Sequence, residues 1–175
     1  MGRHHSSPLE TMVDWRQDRL AAARSGDNPM LMAKMRSGFA VFGDTQHLPG
    51  YCVLISDMDD ADHLTDLSRE QRVEFLTDLS LLGEVVFNVC SGQDPAFLRV
   101  NYEVLGNSYH HLHGHVHARY HWESGEFRGM PVWRYPDSDR FAPEHDATSS
   151  PAADKHDALR EAITAELHRT LSTAY

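Results

Sequence analysis

The sequence predicts an α+β domain built on an antiparallel sheet. Three observations carry this. Short apolar segments joined by tight turns fill the stretch from Met30 to Ser56, one long helical pattern begins near Ser68, and two strand patterns follow one another over 97–105 and 111–120. Strands that run consecutively through short turns, with helices set apart from them, fit α+β better than an alternating βαβ order. A chain of 175 residues suits one such domain and is long enough to bury a substantial core.

Taken in order, residues 13–24 have helical composition and end at Ser25-Gly26-Asp27-Asn28-Pro29. Met30 to Met35 reads as a strand, Ser37-Gly38 as a turn, and Phe39 to Phe42 as the returning strand of a hairpin. A polar turn, Gly43-Asp44-Thr45-Gln46, and a break at Leu48-Pro49-Gly50 precede a strand from Tyr51 to Ser56. An acidic loop, Asp57 to Asp62, comes next. Ser68 and Gln71 have capping-box spacing, and Glu70 sits in the first turn, where the helix dipole favours it. Val73, Phe75, Leu76, Leu79, Leu82, Val85 and Val86 extend an apolar stripe to about Val89, and Ser91-Gly92-Gln93-Asp94-Pro95 ends it. Phe97 to Leu105 and His111 to Tyr120 are strands around a Gly106-Asn107-Ser108 turn. The predicted organisation is a flexible arm over 1–12, a domain over 13–136, a linker with little to bury over 137–154, and a terminal helix within 155–175. In that helix Leu159, Ile163, Leu167 and Leu171 fall four apart. Met12 is an alternative start.

Acidic residues outnumber basic ones, 26 to 16, which argues against a protein that coats nucleic acid. No run of apolar residues is long enough to span a membrane. Cys52 and Cys90 are isolated thiols on apolar segments, as expected in a reducing cytoplasm.

The compositional anomaly is 13 histidines, five of them between His110 and His117. On a strand, His111, His113, His115, His117 and Arg119 share one face, while Leu112, Gly114, Val116 and Ala118 share the other. Such a row suits three readings. Imidazoles bind metal, although adjacent same-face residues on a flat strand point in parallel and rarely supply three ligands. They also attack phosphorus, with neighbouring rings donating to the phosphoryl oxygens. A solvated histidine run is the third, and the apolar opposite face counts against it. Repulsion between the rings favours a neutral central imidazole.

His111-Leu112-His113-Gly114-His115-Val116 resembles the His-φ-His-φ-His-φ-φ signature of the histidine triad (HIT) superfamily, where φ is apolar. Gly106-Asn107-Ser108 resembles the turn ahead of that signature. The stretch from Phe39 through Pro49-Gly50-Tyr51 resembles an upstream strand and polar turn, and Asp66-Leu67-Ser68 fits the start of the long helix. Asn101 to Ser108 and Arg119 are similar to bacterial diadenosine tetraphosphate hydrolase-like members. The resemblance covers roughly residues 28–122. It implies a HIT-like antiparallel sheet with a long helix and, here, a C-terminal helical extension. It also implies a nucleotide hydrolase acting at the α-phosphate of a nucleoside phosphate ester, anhydride or phosphoramidate. His113 would be the nucleophile of a nucleotidyl-histidine intermediate, with His115 and His111 assisting. Asn101, Asn107, Ser108, Asp44 and Arg119 would bind substrate. The implied enzyme needs no cofactor, and the long helix and an edge strand imply a homodimer. His117 and Ala118 depart from the pattern. They keep open an alternative: a transition-metal enzyme on the same scaffold with His113, His115, His117 and His121 as ligands. Phe39 and Val41 read as core in preference to a base-pocket lining. Trp122 and Trp133, near Arg128 and Arg134, read as plain surface or dimer packing in preference to a substrate-facing edge.

Overall fold

A computed structural model describes residues 14–149 and 151–175, so the arm expected over 1–12 lies outside the described residues. Five strands form one antiparallel sheet: β1 (Leu31–Lys34), β2 (Gly38–Phe42), β3 (Cys52–Ser56), β4 (Phe97–Glu103) and β5 (His113–Tyr120). Their order is β1-β2-β3-β5-β4. Helix α1 (Arg19–Ser25) precedes β1, α2 (Arg69–Gln93) joins β3 to β4, and α3 (Asp137–Arg140) and α4 (Ala152–Ala174) follow β5. The α+β class expected from the sequence is observed. Among the described residues no helix is long and apolar enough to cross a membrane.

Helix α1 is shorter than the sequence suggested. The Asp18 carboxylate accepts from the amide of Ala21 and starts the helix there, and Gly26, at φ +83°, closes it. The capping box of α2 is present in both directions. Ser68 Oγ accepts from the Gln71 amide at 3.2 Å, and the Ser68 amide donates to Gln71 Oε1 at 2.8 Å. Phe75, Leu82, Val85 and Val86 of α2 are fully buried. Truncating one of them, as in Leu82→Ala, is expected to cost about 2–5 kcal/mol. Val73, Leu76 and Phe87 of the same helix are exposed. The helix meets β5 at Gly114, where a Cβ would stand 2.7 Å from the Leu79 side chain. A glycine among the histidines thus lets the long helix lie close to the strand. Helix α4 packs on α2 and β1, with Ile163 and Leu167 completely covered.

Residues 137–149 correct the expected linker. They contain α3, a 3₁₀ turn at Pro143–His145, and a β-bridge between Thr45 and Asp146. The Gln46 amide donates to the His145 carbonyl, the Ala147 amide donates to the Asp44 carbonyl, and Ala147 is buried in the core. Proline-led turns satisfy part of the backbone locally, and the carbonyls of Arg140 and His145 and the amide of Ala147 pair with the polar turn after β2.

Candidate active site

The register of β2, β3 and β5 builds the site in rows. Phe39, Ile55 and His113 form one row, and Val41, Val53 and His115 form the next. His117 follows, with the ring of Tyr51 stacked on it at 4.4 Å and 8°. That Tyr51 ring lies over Gly43, where a Cβ would stand 2.1 Å from it. A cavity of about 240 Å³ opens above these rows, with Val41, Val53 and Ile55 in its floor and His113, His115 and His117 in one wall. A second cavity, of about 210 Å³, lies on the other side of His113 and is lined by Asp62, His63 and Gly106 among others.

Each ring of the triad is oriented by its neighbours. His111 lies just ahead of β5, and its Nε2 donates to the Ser56 carbonyl at 2.7 Å. His113 Nδ1 donates to the His111 carbonyl at 2.6 Å. A carbonyl only accepts, so Nδ1 of His113 carries the proton and Nε2 keeps its lone pair. Burial lowers the pKa of His113, with the nearby His111 and Arg19 acting in the same direction and the hydrogen bond to the carbonyl opposing them. His115 Nδ1 is 2.8 Å from the Tyr51 hydroxyl, and burial, then the neighbouring His113, takes its pKa down to about 3. His113 and His115 are therefore neutral near pH 7.

His117 enters the same cavity. It is 2% exposed, and among the described residues neither of its ring nitrogens has a hydrogen-bond partner. Burial lowers its pKa to about 3, helped by His115, Arg119 and Arg140. His121 is exposed and lies outside the cavity. Among the described residues no three His, Cys, Asp or Glu side chains are placed to hold an ion, so the four-histidine ligand set does not form. The strand geometry explains this. His115 and His117 stack nearly parallel, their ring centroids 5.9 Å apart, instead of converging.

Of the expected substrate-binding residues, Asp44 lines the cavity. Its carboxylate is already engaged by Arg19, at 3.2 Å to Oδ1 and 2.6 Å to Oδ2, which leaves further lone pairs facing the cavity. Asn101 is half-buried on β4 opposite His117, outside the cavity wall. Asn107 and Ser108 are exposed on the β4–β5 loop, beside Gly106 of the second cavity.

Arg119 is corrected from substrate binder to buried brace. Its guanidinium pairs with Glu123 and donates to the carbonyls of Phe127, Arg128 and Met130. Both side chains of the pair are almost completely covered, and Tyr135 also donates to Glu123. The turn after β5 brings that carboxylate back over the arginine, which is not among the residues lining the cavity.

Sequence reasoning missed Arg140 and Arg19 as site residues and favoured surface or dimer packing for Trp133, which lines the cavity. Trp133 packs edge-on against His115 and His117 and donates to Glu103. The acidic loop also divides. Asp57 pairs with Arg24 and Lys34, Asp59 pairs with Arg24, and Asp62 borders the second cavity.

No family model matches the chain, and no curated protein is similar to it. Solved structures are. A histidine triad (HIT) protein from Sinorhizobium meliloti superposes with a TM-score of 0.60 at 16% identity, covering 82% of this chain and 93% of that one. A histidine triad protein from Marinobacter aquaeolei gives 0.55 at 22% identity, covering 89% and 93%. A zinc-bound histidine triad family protein from Mycobacterium smegmatis gives 0.53 at 16%, covering 86% and 92%. At these identities the likeness establishes the fold: the chain folds as histidine triad proteins do.

Proposed function

We propose that this protein is a nucleotide hydrolase that works through a covalent nucleotidyl-histidine at His113. The observation that carries the reading is the 2.6 Å hydrogen bond from His113 Nδ1 to the His111 carbonyl. It fixes the tautomer and leaves Nε2 as a neutral, buried nucleophile, which the lowered pKa keeps unprotonated at pH 7. The histidine triad fold of the neighbours supports the same chemistry.

The Nε2 lone pair of His113 attacks the α-phosphorus of a nucleoside phosphate ester, anhydride or phosphoramidate. A P–N bond forms, and the bond from phosphorus to the leaving atom breaks. That atom takes the electron pair and a proton. Water then cleaves the P–N bond and releases a nucleoside monophosphate. With the Tyr51 hydroxyl donating to His115 Nδ1, His115 presents an Nε2–H donor for the charge that develops on the phosphoryl oxygens. Asp44, held by Arg19, accepts from the ribose hydroxyls. Asn107 and Ser108 close over the phosphate from the loop. Because the attacking atom is the imidazole itself, the first step does not require an activated water, and chelators should leave turnover intact.

The protein works as a homodimer in the cytoplasm. Val73, Leu76, Phe87 and Tyr102 expose apolar surface along α2 and the edge strand β4, which suits a second copy. The decisive experiment is mass spectrometry of protein quenched during turnover of an adenosine or guanosine phosphoramidate. A nucleotidyl adduct on His113 is expected. Turnover without any adduct, undiminished by His113→Ala, would overturn the mechanism.

A further inference from the structure

One end of the larger cavity carries polar groups that the chemistry at His113 does not use. His117 and His47 both line it, and among the described residues all four of their ring nitrogens are buried without a hydrogen-bond partner. Beside them, the Arg140 guanidinium lies 4.7 Å from the ring centroids of both Trp133 and Phe141. Arg140 is 13% exposed, and the Asp137 carboxylate oxygen near it stands at 3.8 Å, beyond hydrogen-bonding range. Arg19, the other arginine of this cavity, is already paired with Asp44.

Buried donors without acceptors are costly, so an arginine fork held open in a cavity calls for a ligand that brings acceptors. Position and shape narrow the choice. His117 lies four residues beyond His113 on β5, a rise of about 13 Å, comparable to the reach from phosphorus to the far edge of a nucleobase. The flat rings of Trp133 and Phe141 suit a planar ligand rather than a second phosphate. Guanidinium carries donors only. Among purines, the edge that offers it two acceptors is that of a 6-oxopurine, through O6 and N7, since adenine places an amino donor where O6 would be. Uracil has no adjacent acceptor pair. Cytosine has N3 and O2, but its single ring is shorter than a purine along the rise from His113 to His117. A neutral imidazole supplies one donor and one acceptor, so His117 and His47 complement the remaining N1–H donor and N3 acceptor.

We propose that this cavity selects a 6-oxopurine nucleotide, guanosine or inosine, with Arg140 reading O6 and N7 of the base. The inference rests on the reading of the cavity as a nucleoside phosphate site. It makes Arg140 a specificity-determining residue supplied by the segment after the sheet.

The test is calorimetric binding of GMP, IMP, AMP and UMP to the full chain, to Arg140→Lys and to Arg140→Met. GMP and IMP are expected to bind about tenfold or more tightly than AMP and UMP. Both variants should bring GMP and IMP down to the AMP level, since lysine keeps the charge and loses the fork. AMP binding as tightly as GMP would overturn the proposal, as would a preference retained by Arg140→Lys, an equal loss for all four nucleotides in Arg140→Met, or no binding of GMP. Should Arg140→Met fail to fold, the lysine variant decides. The binding assay needs no turnover, so the two readings fail separately. A GMP preference without a His113 adduct sinks the catalytic reading alone, and an adduct formed without base preference sinks this one alone.

Discussion

Arg119 and Arg140 flank the same end of the histidine row in opposite chemical settings. Arg119 ends the row on β5, pairs with Glu123, and donates to three carbonyls. Arg140 reaches the row from α3 and stacks on Trp133 and Phe141, and among the described residues its guanidinium has no acceptor within hydrogen-bonding range, Asp137 standing at 3.8 Å. The arginine next to the motif in sequence thus holds the fold, and the distant one faces the cavity. The histidines divide in the same way. His111 is tied to a backbone carbonyl, whereas His113 keeps Nε2 uncommitted and His117 keeps both nitrogens so. Committed groups should move stability when changed, and uncommitted groups should move binding or rate.

The largest effect expected belongs to His113. His113→Ala should lower kcat by roughly three to five orders of magnitude while the affinity for a nucleoside monophosphate stays within severalfold, measured by steady-state kinetics and calorimetry. A variant that loses binding and rate together would break the contrast at its centre.

Arg119→Ala tests the committed side. It strands the Glu123 carboxylate, itself fully covered, and should cost about 3–5 kcal/mol in urea unfolding. Folded variant should bind nucleotide with near-normal affinity. Intact stability with a raised KM would instead return Arg119 to the substrate.

His117→Phe keeps the stack with Tyr51 and removes the titration. The folded pKa of His117 is about 3 against an ordinary value of 6.5, so its stabilising contribution is complete above pH 6.5 and is lost as pH falls toward 3. From pH 7 to pH 5 that loss is about 2 kcal/mol. Urea titrations at both pH values should show the variant losing about that much less than the parent protein. Parallel losses would mean that His117 is not held neutral by the fold.

Tyr51→Phe should have the smallest effect. It removes the hydroxyl at His115 Nδ1 and leaves the ring over Gly43. A cost of about 1 kcal/mol, read as a severalfold fall in kcat, is expected.

The sheet was legible because period-2 alternation separates the His113, His115 and His117 face from the Gly114, Val116 and Ala118 face within one short segment. The start of α2 was legible because Ser68 and Gln71 are a local signal. Helix α1 was overestimated because composition did not reveal that Asp18 would start it. Arg119 was misplaced because a motif fixes order along the chain, and the direction of its side chain depends on Glu123 after the turn. Arg140 was missed, and Trp133 assigned to the surface, for a related reason. Short proline-led turns rich in Asp and Ser carry no periodicity, and it is tertiary contacts, the bridge from Asp146 to Thr45 and the Thr45 hydroxyl on the Arg140 carbonyl, that return them to the cavity.

That bridge separates two inheritances. The histidine row depends on the register of β3, β4 and β5, where a slip of one residue would turn every ring to the wrong face. The opposite wall, with Arg140 and Phe141, is tied to the turn at Asp44–Gln46 by the two backbone hydrogen bonds of one bridge and by the Thr45 hydroxyl, which donates to the Arg140 carbonyl. Insertions, deletions or exchanges within 137–149 leave the register of the sheet untouched. A lineage can therefore change which molecules it accepts by rewriting a dozen residues downstream, while the chemistry stays fixed in the strands.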